Sequence, residues 1–429
     1  MKTINCIRIL LFNLLVVTMP TFIYAQQVYT LDECLEMAMQ HNVRIKNADN
    51  DVAAALQQQK SAFTNYFPTV SASGFGFMAD KGLLQLEMMP GMELSLLKNG
   101  VAGGVTASLP LFAGGQIVYG NQLAKVNVEA SHLRRRLSAD EVRLTVERYF
   151  WQVVMLKEKL RTINTVQEQL RQIHQDVETA VKAGVTNRND LLQVGLRLNE
   201  MRMNGISVEN ALQVSRSLLA QYIGVAKDSI DIDLHMDGSL PTLSDTLYHL
   251  PESSLTQLAE YHLLEKNVEA NRLQYKVSVG KNLPTVAVGG GYMYDNLMDK
   301  DHPFWIGGVT VSIPLTKWWG GSHDMKRQKL QIRNAENQLK DQSELLLIRM
   351  QNTWNALTDA HKQVEIAIES IGQANENLRL QTDYYQAGTC TMSDLLEAQS
   401  LYQQSRDKYV ESYAQYEIKK QEYLQATGR

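Results

Sequence analysis

One pattern narrows the possible folds of this chain more than any other: it is written twice. Gly103-Gly104-Val105-Thr106-Ala107-Ser108-Leu109-Pro110 returns as Gly307-Gly308-Val309-Thr310-Val311-Ser312-Ile313-Pro314, an offset of 204 residues. Ala183-Gly184-Val185 and Asp190-Leu191-Leu192 return as Ala387-Gly388-Thr389 and Asp394-Leu395-Leu396 at the same offset of 204. Phe67-Pro68-Thr69-Val70 matches Leu283-Pro284-Thr285-Val286 at 216, so the first copy has the longer connection between its strands. Three matches in one order mark a tandem repeat, and each copy must then form one supersecondary unit.

Each unit reads helix, strand, strand, long helix, turn, helix. In the first, Thr30 and Glu33 make a Thr-x-x-Glu capping box, which starts a helix expected to run unbroken to about Tyr66, where Pro68 ends it. Strands follow near 67–78 and 101–112, and a long helix without proline fills about 115–183. Gly184 stops that helix, because glycine takes the left-handed conformation at little cost. A further helix covers about 188–222. The second unit repeats the order at about 253–282, 284–294, 304–315, 320–387 and 392–427. The expected divisions are therefore a first repeat over 26–224, with a β-hairpin at 67–112 and a tip turn at 184–187, a linker over 225–252, and a second repeat over 253–429, with a β-hairpin at 284–315 and a tip turn at 388–391.

The helices carry seams rather than a thick apolar face. Leu191, Val194, Leu198, Met201, Gly205, Val208, Leu212, Ser215, Leu219 and Tyr222 recur at steps of three and four, and Ile163, Val166, Leu170, Ile173, Val177 and Ala180 do the same. Val364, Ala367, Ile371, Ala374 and Leu378 follow suit, as does a tyrosine seam at 402, 409, 416 and 423. This spacing is that of coiled-coil packing. A helix of about 70 residues rises roughly 105 Å, and two helices of about 36 residues stacked end to end match it in length.

The strands alternate. Val101, Val105, Ala107 and Leu109 are interleaved with Gly104, Thr106 and Ser108, and Trp305, Val309, Val311 and Ile313 with Gly308, Thr310 and Ser312. Period-two segments of about ten residues, apolar on one side and small-polar on the other, are the signature of outer-membrane strands. A soluble hairpin packed on helices alternates in the same way. Phe75, Phe77, Tyr292, Tyr294, Phe304 and Trp305, with Trp318 and Trp319, sit at strand ends, as an interfacial aromatic girdle would. Four strands cannot close a barrel in lipid, so membrane entry requires several copies; a dimer would supply eight strands and a trimer twelve.

The N-terminus reads as an address. Lys2 and Arg8 precede an apolar run over 9–19, and Ala25 ends a cleavable segment, giving an expected signal peptide over 1–25. The run is too short to span a bilayer as a helix. A net charge of −4 gives no reason to expect nucleic acid as a partner. Cys34 and Cys390 read as two free thiols. No nucleophile–base motif and no ligand-spaced histidine pair occurs, so the chain is expected to be no enzyme and to hold no cofactor. Met88, Met89 and Met92 cluster in the longer strand connection; thioethers bind Cu(I), although methionines near a proline more often cover a surface.

These features together resemble the TolC-like outer membrane efflux proteins over essentially the whole mature chain. The resemblance rests on the duplication, on Thr-Leu-Asp-Glu-Cys-Leu from Thr30, on Phe-Pro-Thr-Val and Leu-Pro-Thr-Val before the strands, and on Ala-Gly-Thr-Cys-Thr-Met-Ser-Asp-Leu-Leu-Glu-Ala from Ala387. It implies a mixed α/β membrane protein: a trimeric 12-stranded transmembrane β-barrel continuous with a periplasmic 12-helix coiled-coil α-barrel, each protomer an internal duplication, with the linker near the middle of the helical barrel. It implies an outer-membrane channel, extending into the periplasm, that passively conducts substrates in a tripartite efflux or type I secretion system. The implied partners are two further copies, a periplasmic adaptor, an inner-membrane transporter and outer-membrane lipid.

The resemblance also assigns roles. Acidic residues matching Asp394 and Glu397 ring the periplasmic gate, and Asp190 and Tyr385 match members of the network that holds it shut. Both Thr391-x-x-Asp394 and Asn187-x-x-Asp190 are also cap-like patterns, and helix N-termini favour carboxylates in any protein. Ala183, Gly184, Val185, Ala387, Gly388 and Thr389 match turns that dock the adaptor. Cys390 stands where well-known members have an arginine, and Arg188 is the candidate substitute. The competing reading is a soluble periplasmic coiled-coil scaffold or adaptor, which explains the seams and the signal peptide but not the paired strands.

Overall fold

The structure is a computed structural model. It describes residues 27–429 except 82, 90–91, 97, 227–229, 233, 235, 237, 298–299 and 316, and leaves aside the side chains of 27, 84–89, 92–96, 245 and 317–318. The expected signal peptide over 1–25, the side chains of Met88, Met89 and Met92, and that of Trp318 lie outside the described residues.

The chain forms β1 (Gln27–Val28), α1 (Leu31–His41), α2 (Val43–Thr64), β2 (Thr69–Met78), β3 (Leu84–Met89), β4 (Met92–Leu96), β5 (Asn99–Ala113), α3 (Gln116–Lys182) and α4 (Arg188–Ile223). It continues with β6 (Ile230–Asp231), a 3-10 turn (Asp245–Leu247), α5 (Pro251–Leu255), α6 (Ala259–Gly280), β7 (Thr285–Asn296), β8 (His302–Ser312), α7 (Lys317–Gln386) and α8 (Met392–Ala426). Among the described residues, no helix is long and apolar enough to cross a membrane.

Contacts divide the chain into two compact units. One gathers residues up to Asn42, Glu141–Leu247 and Thr353–Tyr423. Its core is the predicted seams: Val166, Leu170, Val177, Val194, Leu198 and Met201 are buried together with Met392 and Leu395. Tyr409, Tyr416 and Tyr423 of the tyrosine seam are among its largest fully buried side chains.

The expected unbroken first helix is in fact two. The capping box forms as predicted, with the Thr30 amide donating to Glu33 Oε2 (2.8 Å) and the Glu33 amide to Thr30 Oγ1 (3.3 Å). At Asn42 the backbone becomes extended and α1 ends. The reason is tertiary: the Asn42 side chain donates 3.0 Å to the carbonyl of Tyr222 near the end of α4. Gly224, with φ of 83°, closes that corner, and a Cβ there would lie 2.6 Å from the Cβ of His41.

Within 225–252, expected as a linker, described residues between Ile230 and Thr242 are anchored. Ile230 and Asp231 pair in parallel with Gln27 and Val28. Ile230, Ile232 and Met236 are buried. The Tyr409 and Tyr416 hydroxyls donate to the carbonyls of Ser239 and Thr242 (3.3 Å each), and His361 Nε2 lies 2.9 Å from the carbonyl of Pro241.

The other unit, Val43–Asp140, Tyr248–Asn352 and Leu424–Arg429, contains a four-stranded antiparallel sheet in the order β2-β5-β7-β8. Its middle pair, β5 with β7, joins the strands of one predicted hairpin to those of the other. The two outer strands, β2 and β8, each have one strand neighbour among the described residues. The longer connection of the first pair carries the small β3–β4 ladder. Gly114 and Gly115, with φ of 61° and 79°, turn β5 into α3. Gly114 approaches Gly280 so closely that a Cβ would collide with its carbonyl oxygen, while Gln116 Nε2 donates 3.2 Å to that same oxygen.

Candidate functional site: the helical tips and the two faces of the sheet

The two predicted tip turns share one geometry. Gly184 and Gly388 have φ of 75° and 73°. At the first, the Val185 amide donates to Ala180 O (2.9 Å) and the Gly184 amide to Val181 O (3.1 Å). At the second, the Thr389 amide donates to Tyr384 O (2.9 Å) and the Gly388 amide to Tyr385 O (3.0 Å). These paired bonds satisfy carbonyls that a helix end would leave open. Ala183, Gly184, Val185, Ala387, Gly388 and Thr389 are all exposed, with Val185 at 79 %.

Of the predicted gate residues, the structure brings Asp190 and Tyr385 together. The Thr186 hydroxyl donates to Asp190 Oδ2 (2.5 Å), and the Asp190 amide donates to Asn187 Oδ1 (3.2 Å). Tyr385, on the neighbouring helix, has its phenol pushed up by burial and then by the Asp190 charge, while a hydrogen bond with Thr186 acts the other way. Thr186 is thus shared by both groups. Sequence reasoning missed it, although its place four residues before Asp190 was a usable signal.

Asp394 is occupied in capping its own helix. Thr391 donates to Asp394 Oδ2 from its hydroxyl (2.6 Å) and its amide (2.9 Å), and the Asp394 amide donates back to Thr391 Oγ1 (3.3 Å). Those bonds hold its carboxyl below the usual carboxylate range. Glu397, one turn on, is exposed. Arg188 is exposed as well. Cys390 donates from Sγ to the carbonyl of Gln381 (3.5 Å), and its thiol is pushed up by burial and by Asp394.

The sheet register sorts the strand residues onto two faces, because residues directly opposite one another point the same way and successive residues alternate. Ala72, Val105, Tyr292 and Trp305 form one cross-strand row. Val70, Val101, Val288, Val309 and Val311 share their face. The other face carries Ser71, Ser73, Thr106, Ser108, Thr310 and Ser312 among glycines.

One expectation is corrected here. The six aromatic residues grouped as a single girdle divide between the faces. Tyr292, Tyr294 and Trp305 lie on the valine face, with Tyr292 and Trp305 rings 5.1 Å apart and Trp305 80 % exposed. Phe75, Phe77 and Phe304 lie on the serine and threonine face, the first two stacked with ring centroids 6.2 Å apart. Nearness in sequence to a strand end does not fix the side a residue faces; parity and register do.

Comparison with known proteins agrees with this geometry. The family model described as outer membrane efflux protein matches residues 34–225 and 262–429. No curated protein matches the chain significantly. Among solved structures, the fold is similar to the outer membrane protein VceC of Vibrio cholerae, with 13% identity, a TM-score of 0.78, and coverage of 93% of this chain and 96% of that one. It is similar to the CmeC outer membrane channel of Campylobacter jejuni, with 15% identity, a TM-score of 0.78, and coverage of 93% and 85%. It is similar also to the open state of the MtrE outer membrane channel of Neisseria gonorrhoeae, with 15% identity, a TM-score of 0.74, and coverage of 93% and 88%. With matching tips, coiled-coil seams and a two-faced sheet on a fold of this kind, the chain belongs to the outer membrane efflux protein family and is a channel component, not an enzyme.

Proposed function

We propose that three copies of this chain close a twelve-stranded transmembrane barrel continuous with a twelve-helix periplasmic barrel, forming the outer-membrane duct of a tripartite efflux or secretion system. The observation that carries this reading is the sheet itself: four strands, whose outer two have one strand neighbour each among the described residues, one valine face and one serine and threonine face. An open strand edge is not tolerated in lipid, so β2 of one copy pairs with β8 of the next. The valine face then meets lipid, and Tyr292, Tyr294 and Trp305 anchor it at the interface. A second support lies on α4, where Leu192, Leu196, Met203, Ile206, Val214 and Leu218 are exposed apolar residues at helical spacing, suited to the helices of a neighbouring copy.

The mature chain in this reading starts after residue 25, and its repeats, 26–224 and 253–429, are joined by 225–252. The periplasmic adaptor docks on the two glycine turns, Ala183–Val185 and Ala387–Thr389, and receives cargo from an inner-membrane transporter. Three-fold symmetry gathers Asp394 and Glu397 into an acidic gate. Asp190, Thr186 and Tyr385 hold the two tips of one copy together, with Arg188 as the candidate cation of that network. The test is native mass spectrometry of the detergent-purified protein with cysteines placed along β2 and β8. Trimers with β2–β8 crosslinks are expected; a compact, water-soluble monomer overturns the reading.

A further inference from the structure

Large apolar side chains stand on the serine and threonine face in consecutive rows toward one end of the sheet, with Ile306, opposite Gly291, in the innermost of them. Phe75 stands in the row Phe75–Ala102–Asp295–His302, and Phe77 lies opposite Gly100 in the row beyond it. The adjacent row on the other side is Ser73–Gly104–Met293–Phe304. The small residues of β5 leave room between the two groups. Met293 lies across Gly104, where a Cβ would stand 2.5 Å from its Sδ. Phe75 and Phe77 are nearly parallel, with an interplanar angle of 18°, so their rings form a platform rather than a closed pair. The Asp295 carboxylate is on the same face, 3.3 Å from Nδ1 of His302, whose ring is 5.2 Å from that of Phe304. All of these residues are toward the strand ends that lead into the connections 79–98 and 297–301.

We infer that Phe75, Phe77, Met293 and Phe304, together with Asp295, form a lumenal belt that recognises aromatic organic cations as they leave the duct. The inference rests on the reading that the serine and threonine face lines the lumen. Closing the barrel sets the Phe304 edge of one copy beside the Phe75 and Phe77 edge of the next, so the belt repeats around the pore. Aromatic faces attract cations through the ring quadrupole, and a polarizable thioether adds adaptable contact with aromatic cargo. The Asp295 carboxylate supplies the charge. Small inorganic cations keep their water and gain little from such a surface, whereas a large, weakly hydrated aromatic cation sheds little water and gains both contacts.

Planar-bilayer recordings at pH 8 with tetraphenylphosphonium as a blocker of potassium current test the belt. Phe75→Ser with Phe77→Ser is expected to raise the half-blocking concentration by about tenfold, the loss of two aromatic contacts. Phe75→Leu with Phe77→Leu keeps the apolar bulk and decides the matter if the serine variant does not assemble; a clear loss of block is expected from it too. Unchanged block in the leucine variant overturns the belt. The face assignment is read separately, from Ser73→Cys and Ala72→Cys with a membrane-impermeant thiol reagent. Reaction at Ser73→Cys alone supports a lumenal face; reaction at Ala72→Cys alone overturns the reading on which the belt depends.

Discussion

The ammonium of Lys157 lies 3.0 Å from the carboxylate of Asp231, and the Arg216 guanidinium reaches that same carboxylate at 2.5 Å. One acid in a two-residue strand thereby joins α3, α4 and the segment between the repeats. All three side chains are largely shielded from solvent, so the pairing is worth more than an exposed ion pair.

Burial opposes ionisation of Asp231, but hydrogen bonds from Lys157 and the Ile232 amide, with the Arg216 charge, hold its carboxyl below the usual range. A carboxyl with a lowered folded value stabilises the protein above its unfolded value and loses that contribution as pH falls through the folded one. Asp231→Asn is expected to cost about 2 kcal/mol at pH 7, because two cations lose their counter-charge. In denaturant titrations, the stability gap between the mutant and the native protein is expected to narrow as pH falls from 7 toward 3.

Glu147 has the opposite sign. It is 7 % exposed, and burial, with the Glu417 charge second, pushes its carboxyl up to about 7. The folded protein therefore keeps a proton there that the unfolded chain has released, and stability falls as pH rises through about 7. Glu147→Gln removes the penalty and is expected to raise stability at pH 9 by up to about 3 kcal/mol, with little change at pH 4. Melting curves across that range check the direction.

The tips offer a test of conformation without contact. A Cβ on Gly184 or Gly388 meets nothing within 4 Å, so only their left-handed φ resists substitution. Gly184→Ala and Gly388→Ala are each expected to cost about 1 kcal/mol. They are also expected to weaken crosslinking of adaptor at Val185 and Thr389, measured with photoreactive side chains at those positions.

Capping and gating separate at the second tip. Asp394→Asn removes charge from both a helix cap and the proposed ring, and is expected to lower the melting temperature and the cation selectivity together. Glu397→Gln touches no cap and is expected to lower cation selectivity alone, by roughly twofold in the permeability ratio if three such charges face the constriction. Reversal potentials in asymmetric potassium chloride measure it; unchanged selectivity in both variants removes these acids from the gate.

Local chemistry carried much of the fold into the sequence. Thr30 with Glu33, Pro68, Gly184 and Gly388 each start or stop an element through bonds made within a few residues, so their effects are legible without a neighbour in space. The seam from Val194 to Leu219 is legible for a similar reason, since a periodic apolar stripe on a helix has one way to be buried. The Asp394 cap was written in Thr391-x-x-Asp394. The pairing of Asp190 with Tyr385 across two helices was not readable from spacing, and it was reached only through family resemblance.

What the sequence determined by itself is therefore the order, ends and periodicity of the elements, because caps, glycine conformations and apolar spacing act along the chain. Only the tertiary structure decided that the first helix breaks at Asn42, that 225–252 is tied down through Asp231 and the tyrosine seam, and that Phe75, Phe77 and Phe304 face away from Tyr292, Tyr294 and Trp305. Each of those depends on a partner far away in sequence, a carbonyl at Tyr222, a lysine at 157, a register between β5 and β7, and no local pattern specifies which distant group arrives.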